Sequence, residues 1–420
     1  MPKKNEMRQT ERDGKKNRHW LDRKRLTIYP RILLVLFLVI SLVWVLMSKN
    51  MIDRTGKPLG CDFILFWAAS HLALTGYPQN VFNIPLLFKA QQIAVPGSTS
   101  VNAWFYPPSF YLVVLPLALL PYIAAYWVFM LSTLSAYLLV LRRIVRGNIE
   151  MWCLVAFSGL WINLIQGQNA FLTAAIGGAA LLCVDRRPVV AGLFIGLLAI
   201  KPHLAILFPV ALIAIGAWRT FFTAAVTAIT FTAFGTAVLG IGVLNEFLAN
   251  LSKARLFLEN GNVPWAKMPS VFAGLRLLGV PVVGAYVVHI AVAVLAVIAV
   301  WRVWRICQDG QLRGAAFMSA TFLVSPYGYD YDLAWLAFPI AWLAMVGLRN
   351  GWLRGEREVL VAAWLLPMLI TPIATALLVQ VGPIVLCGLL WITLRRATAA
   401  SVTGALATGS SSTSCIESAS

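Results

Sequence analysis

The chain has 420 residues, of which 60% are hydrophobic and only 12% are charged, and its mean hydropathy is +0.79. A soluble domain of this length needs more charge to cover its surface, so the composition excludes a soluble protein. The net charge of +18 does not indicate a nucleic-acid partner, because most Lys and Arg residues lie in residues 1–31 and in short clusters between apolar runs. The partner that this pattern indicates is a lipid bilayer.

Apolar runs close to the length of a membrane span recur along the chain and predict an all-α polytopic membrane protein. The first run, residues 32–48, is followed by Lys49 rather than by a small-residue cleavage site, so we interpret it as a retained helix. We expect about 12 transmembrane helices, from the runs at 32–48, 108–142, 151–166, 168–184, 188–200, 203–218, 220–243, 281–301, 314–326, 332–348, 358–376 and 378–394.

The basic clusters predict the orientation of these spans. With a basic cytoplasmic arm at residues 1–31, the later clusters also fall on the cytoplasmic side, in agreement with the positive-inside rule. Both termini are then cytoplasmic. We expect a membrane-embedded domain at 32–396 and a disordered cytoplasmic tail at 397–420, because the residues of that tail are mostly small and polar.

Three of the runs are unusual in length. The run at 108–142 is too long for one simple span and contains Pro116 and Pro121, which interrupt helices. It is therefore either one tilted, kinked helix or a short re-entrant piece followed by a helix. The runs at 188–200 and 314–326 are short, and we expect thin, partly buried helices there.

Two segments on the non-cytoplasmic side are too long to be simple turns. They cover residues 49–107 and 244–280. Both contain half-apolar stretches that suit helices lying in the membrane interface, namely Phe63–Leu74, Ile84–Ile93 and Leu244–Phe257.

Polar motifs collect on the non-cytoplasmic face in this topology. Carboxylates and amides hold sugar hydroxyls, aromatic rings stack on sugar rings, and a cation between apolar runs suits an anionic ligand such as a lipid phosphate. The candidate residues are Asp62, Tyr106 in "WFYPPSF", Gln166, Gln168 and Asn169 in "QGQN", Lys201 and His203 in "KPH", Tyr329, Asp330 and Asp332 in "SPYGYDYD", and Lys253, Arg255, Lys267 and Arg276 in the second outer segment.

Each motif also has a purely structural interpretation. Gln and Asn are common in turns, prolines break helices, and aromatic residues form belts at membrane interfaces. Asp62 is equally compatible with an N-cap for the helix that follows it. The motifs together favour a site, because Asp62, Asp330 and Asp332 are among the few outer acids and all three have aromatic neighbours.

The order of these motifs resembles glycosyltransferase family 87. The resemblance is carried by "GCDFILFWAASHLALTGYPQNVFN", "FYPPSFYLVVLPLALLP", "GQNAFLTAAIGGAALL", "KPHLAILFPVALI" and "SPYGYDYDLAWL", and it spans about residues 55–345. It implies a GT-C-like fold in a bacterial cytoplasmic membrane. Enzymes of that superfamily take a sugar from a polyprenyl-phosphate donor on the outer face, and an acid in their first outer loop, here Asp62, is the catalytic base.

One departure from the family pattern limits what the resemblance implies about substrates. Many relatives have Trp-Asp-His-His in the late turn, where this chain reads Tyr-Asp-Tyr-Asp at residues 329–332. The family includes mannosyltransferases, but the departure leaves the sugar open between mannose and other hexoses or pentoses. We expect an envelope lipid or glycan as the acceptor, with a protein as the open alternative.

The mechanism that we expect is a single inverting displacement. Asp62 takes the proton of the acceptor hydroxyl, and Lys201, with Arg276 or His203, stabilises the leaving phosphate. No cofactor is expected, and a divalent cation at the late turn is the open alternative. The donor and acceptor sugars are expected to contact Tyr106, Gln166, Gln168, Asn169, Tyr329, Asp330 and Asp332.

Two other classes of protein fit parts of the sequence. A secondary transporter or a lipid or glycolipid flippase places ionisable residues at mid-membrane depth. Here the middles of the spans are nearly free of charge apart from His289, which favours an outer-face enzyme over a carrier. A scaffold protein does not account for the paired polar motifs, and a nucleotide-sugar donor is disfavoured because the chain has no Gly-rich phosphate loop.

Overall fold

The computed structural model describes residues 20–413, which form helices and no β-strand beyond two isolated bridges at Ile52. The predicted all-α class is therefore confirmed. The α-helices of this range are α1 (Arg23–Leu46), α2 (Phe63–Leu74), α3 (Ile84–Ala94), α4 (Pro108–Val114), α5 (Tyr122–Ile144), α6 (Asn148–Val155), α7 (Ser158–Gln166), α8 (Ala170–Cys183), α9 (Pro188–Leu197), α10 (Phe208–Ala214), α11 (Trp218–Leu239), α12 (Ile241–Glu259), α13 (Val271–Leu277), α14 (Val282–Ile306), α15 (Gly310–Val324), α16 (Ala337–Asn350), α17 (Glu356–Leu377) and α18 (Gly382–Thr413). Short 3₁₀ helices lie at Pro78–Phe82, Leu117–Leu119, Leu198–Ile200, Pro202–Leu204, Trp265–Lys267 and Asp330–Leu336.

Within residues 20–413, six helices are long and apolar enough to cross a membrane, or seven if the bent pair α6 and α7 is one span. The predicted count of about 12 is not confirmed. Several apolar runs form α8, α9 and α10, which are shorter than the roughly 20 residues that cross about 30 Å of hydrocarbon. The six are α1, α5, α11, α14, the continuous stretch Asp330–Asn350, and α17.

The long run at 108–142 divides at its prolines. Pro116 precedes the 3₁₀ helix Leu117–Leu119, and Pro121 precedes α5, so the chain forms the short helix α4 and then one spanning helix. Each proline lacks a backbone N–H and therefore ends the helix before it. Of the two predicted forms, the structure has the short piece followed by a helix.

The helical stretches predicted in the two long outer segments are helices in the structure. They correspond to α2, α3 and the middle of α12. However, α2 does not have the two-faced character of a helix that lies in an interface, because most of its side chains are buried and Phe63, Ile64 and Phe66 are fully so. We therefore describe α2 as a core helix, which holds the residue before it, Asp62, in a fixed place.

The two ends of the described range can be compared with the predicted N-terminal arm and C-terminal tail. Helix α1 begins at Arg23, where Asp22 caps it by accepting a 2.8 Å hydrogen bond from the Arg25 amide, so the last part of the predicted arm is helical. Helix α18 continues to Thr413, where the sequence predicts a disordered tail from residue 397. The rest of the predicted arm, residues 1–19, and the last residues of the tail, 414–420, lie outside the described range.

The late turn and the helix after it form the centre of the bundle. Of the 18 most apolar consecutive residues in the stretch Asp330–Asn350, 83% are buried inside the protein. The Tyr137 hydroxyl of α5 donates to the Ala334 carbonyl at 2.8 Å, and the Trp335 indole donates to the Thr173 hydroxyl of α8 at 3.0 Å. These buried contacts fix the late turn against two helices, so side chains at its start have defined positions.

Candidate active site

Asp62 lies where the turn before α2 meets the QGQN turn at the end of α7. The Asp62 amide donates to the Gln166 carbonyl at 3.0 Å, and the Gln168 side-chain amide donates to the Asp62 carboxylate at 3.1 Å. The side chain makes no N-cap hydrogen bond to α2. The purely structural interpretation of Asp62 as an N-cap is therefore not supported, and its carboxylate points to the amide of another segment.

Two glycines allow these turns to approach each other. Gly60 and Gly167 have φ values of +69° and +75°, a region that favours glycine. A Cβ atom on Gly167 would lie 2.7 Å from the Cβ of Phe63 and 3.3 Å from the Cα of Gly60. The glycine in "QGQN" is thus required both for the backbone conformation and for the contact that brings Gln168 to Asp62.

The environment of Asp62 raises its basicity. The residue keeps a partly accessible surface although protein surrounds its carboxylate, and this burial raises the pKa of Asp62 above its ordinary value. The hydrogen bond from Gln168 and the positive charge of Lys267 act in the opposite direction and lower that pKa in part. Asp62 is therefore a stronger base than an exposed aspartate, and no cation within residues 20–413 forms an ion pair with its oxygen atoms.

The Gln168 amide is held in one orientation. Its Oε1 accepts hydrogen bonds from the Tyr106 hydroxyl and from the Asn169 backbone amide, each at 3.1 Å, while its Nε2 donates to Asp62. Reversing the amide would place an N–H against two donors, so the network fixes which end faces the carboxylate. Tyr106 of "WFYPPSF" thereby acts on Asp62 through Gln168.

Asp330 lies within the same network. Its carboxylate accepts hydrogen bonds from the Gln166 side chain at 3.3 Å, from the Thr371 hydroxyl of α17 at 3.4 Å and from the Tyr331 amide at 2.9 Å. Thr371 was not predicted, since a single threonine in an apolar helix carries no sequence signal of a site.

Asp332 and Lys201 form a buried ion pair. The Lys201 ammonium lies 2.6 Å from the Asp332 carboxylate, and the two side chains are 6% and 0% exposed. The ammonium also donates to the Asn169 side chain at 3.4 Å and lies 5.0 Å above the Tyr331 ring, while the Tyr329 amide donates to Asp332 at 3.2 Å. The charge of Lys201 is therefore compensated within the protein.

Three residues of the QGQN turn each contact a different predicted motif. Gln166 contacts Asp330, Gln168 contacts Asp62, and Asn169 contacts Lys201. The sequence predicts these residues as separate motifs, and the structure brings the first outer segment, the KPH turn and the late turn together around one turn. The rings of Tyr329 and Tyr331 stack beside it with centroids 5.4 Å apart.

The other two predicted phosphate ligands differ in their surroundings. The guanidinium of Arg276 donates to the carbonyls of Val280 at 2.6 Å and Glu259 at 3.2 Å and lies over the Trp265 ring, contacts that hold the corner between α12 and α13. The Nε2 atom of His203 is buried and has no hydrogen-bond partner among the described residues.

Lys267 is the cation that the sequence left without a role. It ends the 3₁₀ helix Trp265–Lys267, is half-buried, and interacts electrostatically with both Asp62 and Asp330. Its sequence neighbours give no sign of this position, because only the packing of the second outer segment against α17 brings Lys267 to the carboxylates.

An open groove of about 820 Å³ lies away from the three carboxylates, since it is lined by residues from Ala228 to Leu244 of α11, α12 and the turn between them. Within residues 20–413, no group of three or more His, Cys, Asp or Glu residues is arranged to hold a metal ion.

Comparison with known proteins identifies the family. The family model for glycosyltransferase family 87 matches residues 104–326, which is more than half of the chain. The chain belongs to this family and is a membrane glycosyltransferase. No curated protein and no solved structure matches it. The match covers the QGQN and KPH turns and Lys267, whereas Asp62 and the acids of the late turn lie outside it.

Proposed function

We propose that this glycosyltransferase moves a sugar from a polyprenyl-phosphate donor to an envelope lipid or glycan on the non-cytoplasmic face of a bacterial cytoplasmic membrane. The sugar is mannose or another hexose or pentose. Asp62 is the general base, and the configuration at the anomeric carbon inverts. The observation that carries this proposal is the position of Asp62: the residue keeps some accessible surface, Gln168 orients its carboxylate, and no cation among the described residues forms an ion pair with it.

The reaction is one displacement. The acceptor oxygen forms a bond to the anomeric carbon with its lone pair, and its proton passes to the Asp62 carboxylate. The bond between the anomeric carbon and the phosphate oxygen breaks, and its electron pair stays on the phosphate. The products are the glycosylated acceptor, polyprenyl phosphate and protonated Asp62, which then releases its proton to water.

The other two carboxylates are less suited to the role of base. Asp332 is fully buried and paired with Lys201, so accepting a proton there would leave a buried cation without its partner. Asp330 is 4% exposed and accepts three hydrogen bonds. Asp330 and the neighbouring amides instead suit the orientation of sugar hydroxyls, with the stacked Tyr329 and Tyr331 rings as an apolar surface for a sugar face.

Family membership favours this function over the carrier and scaffold alternatives. The lipid-linked donor is supported by the helices that are long and apolar enough to cross a membrane, because a polyprenyl chain lies in the same bilayer. The amide and carboxylate groups of the site are the kind that bind hydroxyl-rich ligands.

The test compares Asp62→Asn with the matched control Asp53→Asn. Asp53 is a second acid of the first outer segment, and its carboxylate accepts hydrogen bonds within its own turn, from Thr55 and Lys57. We expect Asp62→Asn to lower kcat about 10²- to 10⁴-fold, the usual contribution of a positioned base, and Asp53→Asn to retain turnover. The assay follows transfer from a radiolabelled polyprenyl-phosphate sugar, with mass spectrometry of envelope glycolipids to identify the product.

An Asp62→Asn protein that folds, binds the donor and turns over at the wild-type rate removes Asp62 from the role of base. Absence of transfer from any polyprenyl-phosphate sugar by the wild-type enzyme contradicts the proposed donor class.

A further inference from the structure

The donor's phosphate requires a cation whose charge is available, and Lys201 does not meet this requirement. This inference about the phosphate-binding cation rests on the proposed function. Lys201 and Asp332 are 2.6 Å apart and almost fully buried, so the pair presents little net charge to a ligand.

Arg276 is also committed to other contacts. Two of its N–H groups donate to the carbonyls of Val280 and Glu259, and its guanidinium lies 4.8 Å from the centre of the Trp265 ring. These contacts tie the end of α13 to the end of α12. Moving Arg276 onto a ligand would leave both carbonyls without this donor.

Lys267 differs from both residues. Among the residues that the structure describes, its ammonium forms neither an ion pair nor a hydrogen bond. It nevertheless interacts electrostatically with Asp62, the base, and with Asp330 in the late turn. Lys267 is thus a half-buried cation on the segment that packs against Tyr329 of the late turn, and no described residue forms an ion pair with it.

The backbone that carries Lys267 is fixed beside the late turn. Trp265 and Met268 pack in one small apolar cluster, which also contacts Tyr329. The side chain of Gln380 donates to the carbonyls of Trp265 at 3.4 Å and Ala266 at 3.3 Å. The fixed backbone places the Lys267 side chain beside the late turn, and its ammonium has no described partner to leave when it binds an anion.

We propose that Lys267 binds the phosphate of the polyprenyl-phosphate donor and that Lys201 is a positioning residue held by Asp332. When the bond from the anomeric carbon to the phosphate oxygen breaks, the electron pair remains on the phosphate, and Lys267 stabilises the charge that develops there. Lys201 instead joins the KPH turn to Asn169 and to the late turn.

The experiment measures binding, so that it does not depend on turnover. Full-length protein in nanodiscs is titrated with a polyprenyl monophosphate and, separately, with the uncharged polyprenol of the same chain length. The variants are Lys267→Met, Lys267→Gln and Lys267→Arg, with Lys253→Met as the matched control because Lys253 is exposed on α12 in the same outer segment. Thermal unfolding of each variant reports folding separately.

We expect Lys267→Met and Lys267→Gln to bind the monophosphate about 10- to 100-fold more weakly, the usual effect of removing a charge-assisted contact, with unchanged affinity for the polyprenol. Lys267→Arg keeps most of the affinity, and Lys253→Met keeps all of it. The double variant Lys201→Met/Asp332→Asn, which removes both charges of the pair together, retains the preference for phosphate over alcohol.

Wild-type phosphate affinity in folded Lys267→Met or Lys267→Gln overturns the proposal. Loss of the phosphate preference in the Lys201→Met/Asp332→Asn double variant also overturns it and returns the role to Lys201. A wild-type protein that binds the phosphate and the alcohol equally contradicts the donor class itself. The failure of the proposed function is therefore distinguished from the failure of the Lys267 assignment.

Discussion

Asp62 contacts the QGQN turn directly, whereas Asp332 is connected to that turn through Lys201, and the surroundings of the two carboxylates differ. Asp62 accepts a neutral hydrogen bond from Gln168, is partly accessible, and has no cation as a direct partner among the described residues. Asp332 is fully buried, and a lysine ammonium lies 2.6 Å from its oxygen. The first carboxylate has no charged partner among the described residues, and the second is held in a buried ion pair.

The two carboxylates therefore suit different roles: Asp62 suits a chemical step, and Asp332 suits a structural ion pair. A buried ion pair resists protonation and ligand binding because either event leaves an uncompensated buried charge. A carboxylate that is held only by a neutral amide loses little interaction energy when it takes a proton. Acidic residues in similar aromatic contexts, which the sequence groups together, thus acquire different roles from their neighbours in space.

Removal of one partner of the ion pair has the largest expected effect on stability. Lys201→Met leaves the Asp332 carboxylate buried and unpaired, which typically destabilises by about 3–5 kcal/mol. We expect a markedly lower thermal midpoint in detergent for Lys201→Met. The double variant Lys201→Met/Asp332→Asn should recover most of the lost stability. The uncharged amide that replaces the Asp332 carboxylate still accepts a hydrogen bond from the Tyr329 backbone N–H. Equal midpoints for the single and double variants would show that the pair is not the structural element described here.

The pH dependence of turnover tests the protonation state of Asp62. The proposed base must be ionised, and burial raises the pKa of Asp62 above its ordinary value of 3.8, so we expect activity to be lost on acidification at a higher pH than for an exposed aspartate. Below that pKa, kcat/KM falls about tenfold per pH unit. Lys267→Met removes a charge that lowers the pKa of Asp62, so its acid limb should lie at higher pH than that of Lys253→Met. Coincident acid limbs in these two variants would contradict this coupling.

The glycine of the QGQN turn tests whether the approach to Asp62 depends on the backbone. Gly167→Ala places a Cβ at a φ of +75° and 2.7 Å from Phe63, which costs about 1–2 kcal/mol in backbone conformation alone and displaces Gln168. We expect lower stability and lower kcat. Gly242→Ala in α12, where a Cβ meets nothing within 4 Å, is the control and should have neither effect. Wild-type kcat in Gly167→Ala would mean that the turn tolerates this shift.

The smallest expected effect comes from Tyr106→Phe. It removes one hydrogen bond to Gln168 Oε1, which the Asn169 amide also contacts, so the amide keeps its orientation in part. A net loss of about 1 kcal/mol corresponds to roughly a fivefold lower kcat/KM, without a change in the thermal midpoint beyond that size. A loss as large as that of Asp62→Asn would place Tyr106 in direct contact with the reacting groups.

Local patterns predicted the elements better than the membrane crossings. The stretch Phe63–Leu74 was predicted as a helix and is α2, and Pro116 and Pro121 end helices as their chemistry requires. The count of spans was not predictable from apolar runs, because a mostly apolar stretch of 14 residues such as α8 suits a buried helix as well as a membrane span.

The site was predicted as a set of residue types but not as a set of pairs. Asp62, Gln168 and the late-turn acids were named from their chemistry, whereas the ion pair between Lys201 and Asp332 joins residues 131 positions apart. Thr371 had no motif to mark it, and Lys267 was named only as one of four cations of the second outer segment, without a role. Such contacts arise from the packing of distant segments, which a local pattern does not encode.

The amino-acid sequence by itself determined that this protein is a helical membrane protein of glycosyltransferase family 87, because hydropathy, charge placement and motif order are local or sequential properties. Only the tertiary structure decided which acid is free and which cation is neutralised. The reason is physical: the state of a buried charge depends on the atoms within a few ångströms of it, and those atoms come from parts of the chain that folding brings together.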